Sequence, residues 1–201
     1  MSKPRILVTR AVFPETVAYL AQHFEVESNQ GDEAWTSAQL IEKLRDKDGA
    51  FTTGSVRIDG EVLAACPKLK ICANMAVGYN NFDLDAMTAR GVLGTNTPDV
   101  LTETTADFGF ALLMATARRI TESEIYLREG KWTKWSYDMF AGSDIHGATL
   151  GILGMGRIGQ AVARRANVFG MQVHYHNRRR LRPEIEDDLH APWWESLDQM
   201  L

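Results

Sequence analysis

The chain has 201 residues, 45% of them hydrophobic and 24% charged, with a formal net charge of −4. This is the make-up of an ordinary globular protein long enough for one or two domains, and it excludes bulk nucleic-acid binding through a cationic surface. No apolar run reaches signal-peptide or membrane-spanning length, so a cytoplasmic location without a membrane partner is expected.

After the charged lead-in Met1-Ser2-Lys3-Pro4, short β-prone runs alternate with helical patterns, which predicts a small doubly wound α/β domain. Strands are expected at residues 5–9, 24–27, 49–53, 70–73 and 92–94. Helices are expected at 14–22, 37–45, 60–65 and 83–90, the second capped by Thr36 or Ser37. Cys66 and Cys72 are the only cysteines. One falls at a helix end and one on a strand, as buried thiols in a reducing compartment would. Neither has an evident basic neighbour to lower its pKa, so a catalytic thiol is not expected.

Past Asn96-Thr97-Pro98-Asp99 the pattern changes to Ala, Leu and Met at helical spacing. It predicts one helix over 101–129, on the order of 40 Å long at 1.5 Å per residue. Pro98 and Asp99 suit its start and Gly130 its end. Residues 131–147 have no clear period and carry Trp132, Trp135, Tyr137 and Phe140. An aromatic stretch of this kind needs cover, either from its own domain or from a second subunit.

Leu150 to Leu153 then runs as a buried strand into Gly154-Met155-Gly156-Arg157-Ile158-Gly159. A GxGxxG alone is weak; between a strand and a helix it is the fingerprint of a dinucleotide-binding βαβ unit. Gly154 permits the turn, Gly156 admits a pyrophosphate to the backbone, and Gly159 lets helix and strand pack closely. The free amides and the positive end of the helix dipole would face the phosphates. A helix through 161–170, stopping at Gly170, and a strand over 171–176 complete the unit.

Many NAD-binding domains end this second strand with a carboxylate for the ribose hydroxyls. Here it ends in Asn177-Arg178-Arg179-Arg180. An uncharged side chain followed by guanidinium groups suits a ribose 2′-phosphate, which favours NADP over NAD. Asn177, Arg178 and Arg179 are the candidates, with Arg180 assigned to the surface; a solvated basic loop is the alternative. Residues 184–190 read as a polar tail, and 193–201 as the start of a helix. His174 and His176 alternate on the strand as a metal pair would, but no third ligand is apparent, and no metal is expected.

The chain resembles the D-isomer-specific 2-hydroxy acid dehydrogenases of the glyoxylate/hydroxypyruvate (2-ketogluconate) reductase type. The resemblance covers essentially the whole chain. It rests on Ala76-Val77-Gly78-Tyr79-Asn80-Asn81-Phe82-Asp83, on residues 96–107, and on the glycine turn with its helix. It implies a flavodoxin-like substrate domain at 1–98, an interdomain helix and dimerisation arm at 99–147, and the first half of a Rossmann domain at 148–201, truncated in this chain. Backbone amides at Val77 and Gly78 would hold the substrate carboxylate, as in other backbone anion nests. Thr105, Gly154, Gly156, Arg157, Ile158 and Gly159 would contact the cofactor, NADP or NAD, in a homodimer.

The activity implied is reduction of a short 2-keto acid, such as glyoxylate or hydroxypyruvate, to the D-2-hydroxy acid. A nicotinamide supplies the hydride, a histidine oriented by a carboxylate the proton, and an arginine polarises the substrate. In the family those three groups lie beyond the position of Leu201, so no catalytic residue is assigned, and these residues alone are expected to be inactive. None of the five histidines, His23, His146, His174, His176 and His190, matches the family's catalytic one. Two other readings remain: an NAD-dependent relative acting on a larger hydroxy acid, and a non-catalytic nucleotide-binding or scaffold protein.

Overall fold

A computed structural model describes residues 2–201. The chain divides into two compact units, Met1–Pro98 and Asp99–Leu201.

The first unit is a five-stranded, all-parallel sheet in the order β2-β1-β3-β4-β5. Its strands are β1 (Arg5–Val8), β2 (Glu25–Ser28), β3 (Gly49–Thr53), β4 (Ile71–Met75) and β5 (Leu93–Thr95). This is the flavodoxin-like strand order, in which ligands bind outside the carboxyl ends of the strands. The connecting helices are α1 (Pro14–His23), α2 (Ser37–Leu44), α3 (Gly60–Ala65) and α4 (Leu84–Arg90).

Local chemistry sets their limits. Thr36, not Ser37, caps α2 with a capping box in which Gln39 N–H donates to Thr36 Oγ1 and Thr36 N–H to Gln39 Oε1. Asp59 and Asp83 cap α3 and α4, and Gly91, in the left-handed region at φ 66°, ends α4. Leu7, Leu44, Ile58, Val62, Leu63, Cys72 and Met87 form the core between sheet and helices. Each fully buried leucine there contributes about 2 kcal/mol by leaving water.

The second unit holds β6 (Thr149–Leu153) and β7 (Gln172–His176), paired in parallel from Thr149↔Gln172 to Leu153↔His176, with α7 (Arg157–Val168) as the crossover. It also contains α5 (Thr102–Ala117), α6 (Ile120–Arg128), α8 (Pro183–Leu189) and α9 (Leu197–Met200). Met155, Ala163, Ala166, Val173, Tyr175 and Leu189 make its core, joined by Phe110 of α5. The Phe110 and Phe169 rings sit 4.8 Å apart.

Two expectations are corrected here. The helix expected over 101–129 is two helices, because Arg119 takes a left-handed conformation at φ 52° and Ser143 N–H occupies the Ala117 carbonyl at 2.8 Å. The segment read as a polar tail is the helix α8, which buries Glu186 and Leu189.

Candidate functional site

Each unit carries one group of candidate residues. In the first, they lie at the carboxyl end of β4, in the loop that runs from Ala76 to Phe82. Three consecutive carbonyls of this loop are bound. Ala76 O accepts from Thr97 N–H at 3.0 Å, Val77 O from Asn96 Nδ2 at 2.8 Å and Gly78 O from Asn74 Nδ2 at 2.9 Å. Val77, Gly78 and Tyr79 have no protein acceptor for their own N–H groups among the described residues.

Beneath the loop lies a buried polar network. Thr52 Oγ1 donates to Asn74 Oδ1 at 3.0 Å, Asn74 Nδ2 reaches Asn81 Oδ1 at 3.2 Å, and Asn81 Nδ2 donates to the carbonyls of Val56 (2.9 Å) and Thr53 (3.2 Å). No buried side-chain polar atom among the described residues is left unpaired. Sequence reasoning missed these asparagines. The available signal was Asn74 itself, a polar residue inside a β-run whose even positions face the core.

In the second unit the glycine turn has the geometry its sequence demands. Gly154 sits at φ 101°, a conformation open to glycine and costly for other residues. A Cβ at Gly156, the N-cap of α7, would meet nothing within 4 Å, whereas one at Gly159 would stand 2.2 Å from Gly154 O. The N–H groups of Gly156, Arg157 and Ile158 find no backbone or side-chain acceptor among the described residues. The start of α7 is thus a free donor cluster beneath open space, which fits a pyrophosphate.

Arg157 Nε pairs with Asp99 Oδ1 at 2.6 Å, so the approach to α5 lies beside the turn. Thr105 is exposed in the first turn of α5, its N–H bonded to Leu101 O. Arg165 of α7 binds Glu103 and Asp107 of α5, fixing the two helices together.

The end of β7 separates the three arginines. Asn177 Oδ1 accepts from Met155 N–H at 2.8 Å, and Asn177 O accepts from Trp193 Nε1 at 3.2 Å. Arg178 and Arg179 are exposed and make no hydrogen bond or ion pair with the described residues. Arg180, assigned to the surface from sequence, is exposed there and also donates to both carboxylate oxygens of the buried Glu186, by Nε at 3.0 Å and Nη2 at 2.6 Å. Tyr175 OH donates to the same carboxylate and accepts from Leu181 N–H at 2.9 Å. The Arg180 hydrogen bonds hold the Glu186 carboxyl below the usual carboxylate range, while burial, aided by Glu186, pushes the Tyr175 phenol up to about 12.

The histidines of β7 serve Trp194, which donates from Nε1 to His174 Nδ1 at 2.7 Å and whose carbonyl lies 2.9 Å from His176 Nδ1. Among the described residues no group of three or more His, Cys, Asp or Glu side chains is placed to hold a metal ion. Cys66 and Cys72 are buried and unbridged; burial raises both thiols, Cys72 to about 12.

The aromatic stretch after α6 is largely exposed, with Trp132, Trp135 and Tyr137 at 54%, 76% and 86% of full accessibility. Phe140 folds back onto Tyr126, ring centres 5.1 Å apart, and an apolar groove of about 420 Å³ opens between them, Leu127, Trp132 and Met139. No helix among the described residues is long and apolar enough to cross a membrane.

Residues 6–175 match the family described as D-isomer specific 2-hydroxyacid dehydrogenase, catalytic domain. A protein of Thermococcus onnurineus named glyoxylate reductase is 48% identical over 203 aligned residues, covering 99% of this chain and 60% of the relative. Among solved structures, the TT0316 protein of Thermus thermophilus superposes with a TM-score of 0.87 at 41% identity, covering 98% of this chain and 61% of that one. An NADPH-dependent glyoxylate/hydroxypyruvate reductase of Sinorhizobium meliloti, solved with NADP and malonate, gives a TM-score of 0.79 at 33% identity, over 99% of this chain and 59% of its own. The chain therefore spans about 60% of the length of the curated relatives it matches.

Proposed function

The chain belongs to the D-isomer specific 2-hydroxyacid dehydrogenase family, and on that premise we propose that the protein reduces a short 2-keto acid of the glyoxylate or hydroxypyruvate kind to its 2-hydroxy acid, with NADPH preferred over NADH. The observation that carries this reading is the pairing of a donor-rich glycine turn, open above Gly156, with two partnerless guanidinium groups just past β7. The names of the relatives supply the substrate class.

Each residue then has a role. The amides of Arg157 and Ile158 bind the pyrophosphate, Gly156 keeps the approach clear, and Gly154 and Gly159 shape the turn. Thr105, exposed in the first turn of α5, contacts the cofactor in this reading. Arg178 and Arg179 neutralise a ribose 2′-phosphate, while Asn177 withholds the carboxylate that would repel it. The amides of Val77 and Gly78 receive the carboxylate of the keto acid. When bound, the reduced nicotinamide supplies the hydride; no proton donor is assigned among these residues.

The exposed Trp132, Trp135 and Tyr137, with the apolar groove against α6, suit a second copy of the chain, as the resemblance implies. The homodimer is part of this reading.

The test is turnover of glyoxylate and hydroxypyruvate with NADPH and with NADH by the full natural polypeptide that carries these residues, together with its intact mass. Turnover favouring NADPH at least tenfold supports the reading. A natural product near 22.5 kDa that binds nucleotide without turnover would overturn the catalytic part and favour a nucleotide-binding scaffold.

A further inference from the structure

The loop that carries Val77 and Gly78 has no regular structure to fix its amides, yet its orientation is over-determined from beneath. In a trans peptide the C=O of one residue and the N–H of the next point in opposite directions, and every peptide bond among the described residues is trans. Once a carbonyl is tied, the following N–H is aimed. Ala76 O and Val77 O are both tied to the segment Asn96-Thr97, so the N–H groups of Val77 and Gly78 face away from that segment on a common side. Gly78 O is tied to Asn74, which turns the Tyr79 N–H away from the buried network.

We infer that Asn74, Asn81 and Asn96 are positioning residues that hold the 77–79 loop in its anion-receiving orientation, through the ties Asn96 Nδ2 to Val77 O (2.8 Å) and Asn74 Nδ2 to Gly78 O (2.9 Å). The inference rests on the reading of this loop as the carboxylate site of a 2-keto acid. Asn74 reaches Gly78 only because its own amide is fixed. Thr52 Oγ1 and Asn81 Nδ2 occupy its Oδ1 side, and Asn81 is in turn anchored on the carbonyls of Thr53 and Val56 at the end of β3. Asn74 and Asn81 are 2% and 7% exposed, so water cannot replace them without opening the core. Asn96 is only half-buried and serves one bond to the loop. Releasing it frees the 77–78 peptide to rotate, so the Gly78 donor is no longer preorganised and each binding event bears the ordering cost.

The test uses the full natural polypeptide and the variants Asn96→Ala and Asn96→Ser, which remove or shorten the donor at a half-buried position. The expected result is a KM for glyoxylate raised about tenfold, with the KM for NADPH within twofold and the thermal midpoint little changed. A second readout is titration of ¹⁵N-labelled protein with oxalate, a non-reactive dicarboxylate. Amide shifts at Val77, Gly78 and Tyr79 should saturate at lower oxalate in the parent than in either variant. If the parent reduces glyoxylate and both variants match it in KM and in oxalate affinity, the positioning role is overturned and the proposed function stands. If the parent reduces no 2-keto acid and oxalate leaves these amides unmoved, the proposed function fails and this inference with it. A loss of NADPH and glyoxylate binding in equal measure would mark Asn96 as merely structural.

Discussion

The Asn177 side-chain oxygen accepts a hydrogen bond from the backbone N–H of Met155 at 2.8 Å, tying the end of β7 to the middle of the glycine turn. One uncharged residue thereby ties down the glycine turn, and in the proposed function it also leaves the ribose side of the cofactor site free of negative charge. Asn177→Asp keeps an acceptor for Met155 and adds a charge that repels a 2′-phosphate. The expected result is a fall of at least tenfold, about 1.4 kcal/mol, in the NADPH-to-NADH ratio of kcat/KM, with a small change in thermal midpoint. Arg178→Ala should lower the same ratio by a similar factor without affecting NADH. Steady-state kinetics with both cofactors checks each.

The glycines of the turn separate folding from binding. A methyl at Gly159 would meet Gly154 O at 2.2 Å, so Gly159→Ala should cost about 2 kcal/mol of stability through overpacking. A Cβ at Gly156 would meet nothing within 4 Å and the residue is extended at φ −78°, so Gly156→Val should leave the thermal midpoint nearly unchanged while its branches fill the space proposed for the pyrophosphate. Chemical denaturation and calorimetric titration with NADPH, run on both variants, would show the dissociation.

Glu186 gives a pH signature. Its carboxyl is held below its ordinary value of 4.5, chiefly by Arg180, so the stability it contributes is present above that value and is lost as the pH falls through the lower, native one. Glu186→Gln should therefore lower stability near neutrality by roughly 1–2 kcal/mol, and the difference from the parent should shrink below about pH 4.5. Thermal midpoints measured down that range check it. A constant difference would mean that the charge is not what Arg180 binds.

Cys66 and Cys72 should resist thiol reagents in the native state at about pH 8, since the thiolate is the reactive form and both groups are raised by burial. Both should label at once in denaturant. Rapid labelling of Cys72 in the native state would contradict its place in the core.

Much of this was legible in the sequence because local chemistry agreed with the tertiary result. The alternation of strand and helix through residue 95, the cap at the start of α2 and the strand-turn-helix around Gly154 are all written in short-range pattern. What escaped were features decided by distant partners. The break at Arg119 depends on Ser143 taking the Ala117 carbonyl from 26 residues away (143 − 117). The role of Arg180 depends on Glu186, which reads as one more acidic residue until Tyr175 is seen buried against it. The asparagines around the 77–79 loop come from β4, from the loop's own continuation and from the residue just past β5, and no spacing brings them together.

The most direct measurement of the central claim is calorimetric titration of the full natural polypeptide with NADPH and with NADH, with Gly156→Val as control. The account predicts saturable binding of NADPH, at least tenfold weaker binding of NADH, and loss of both in the folded Gly156→Val protein. Saturation by neither nucleotide, or binding that survives a valine at Gly156, would contradict it.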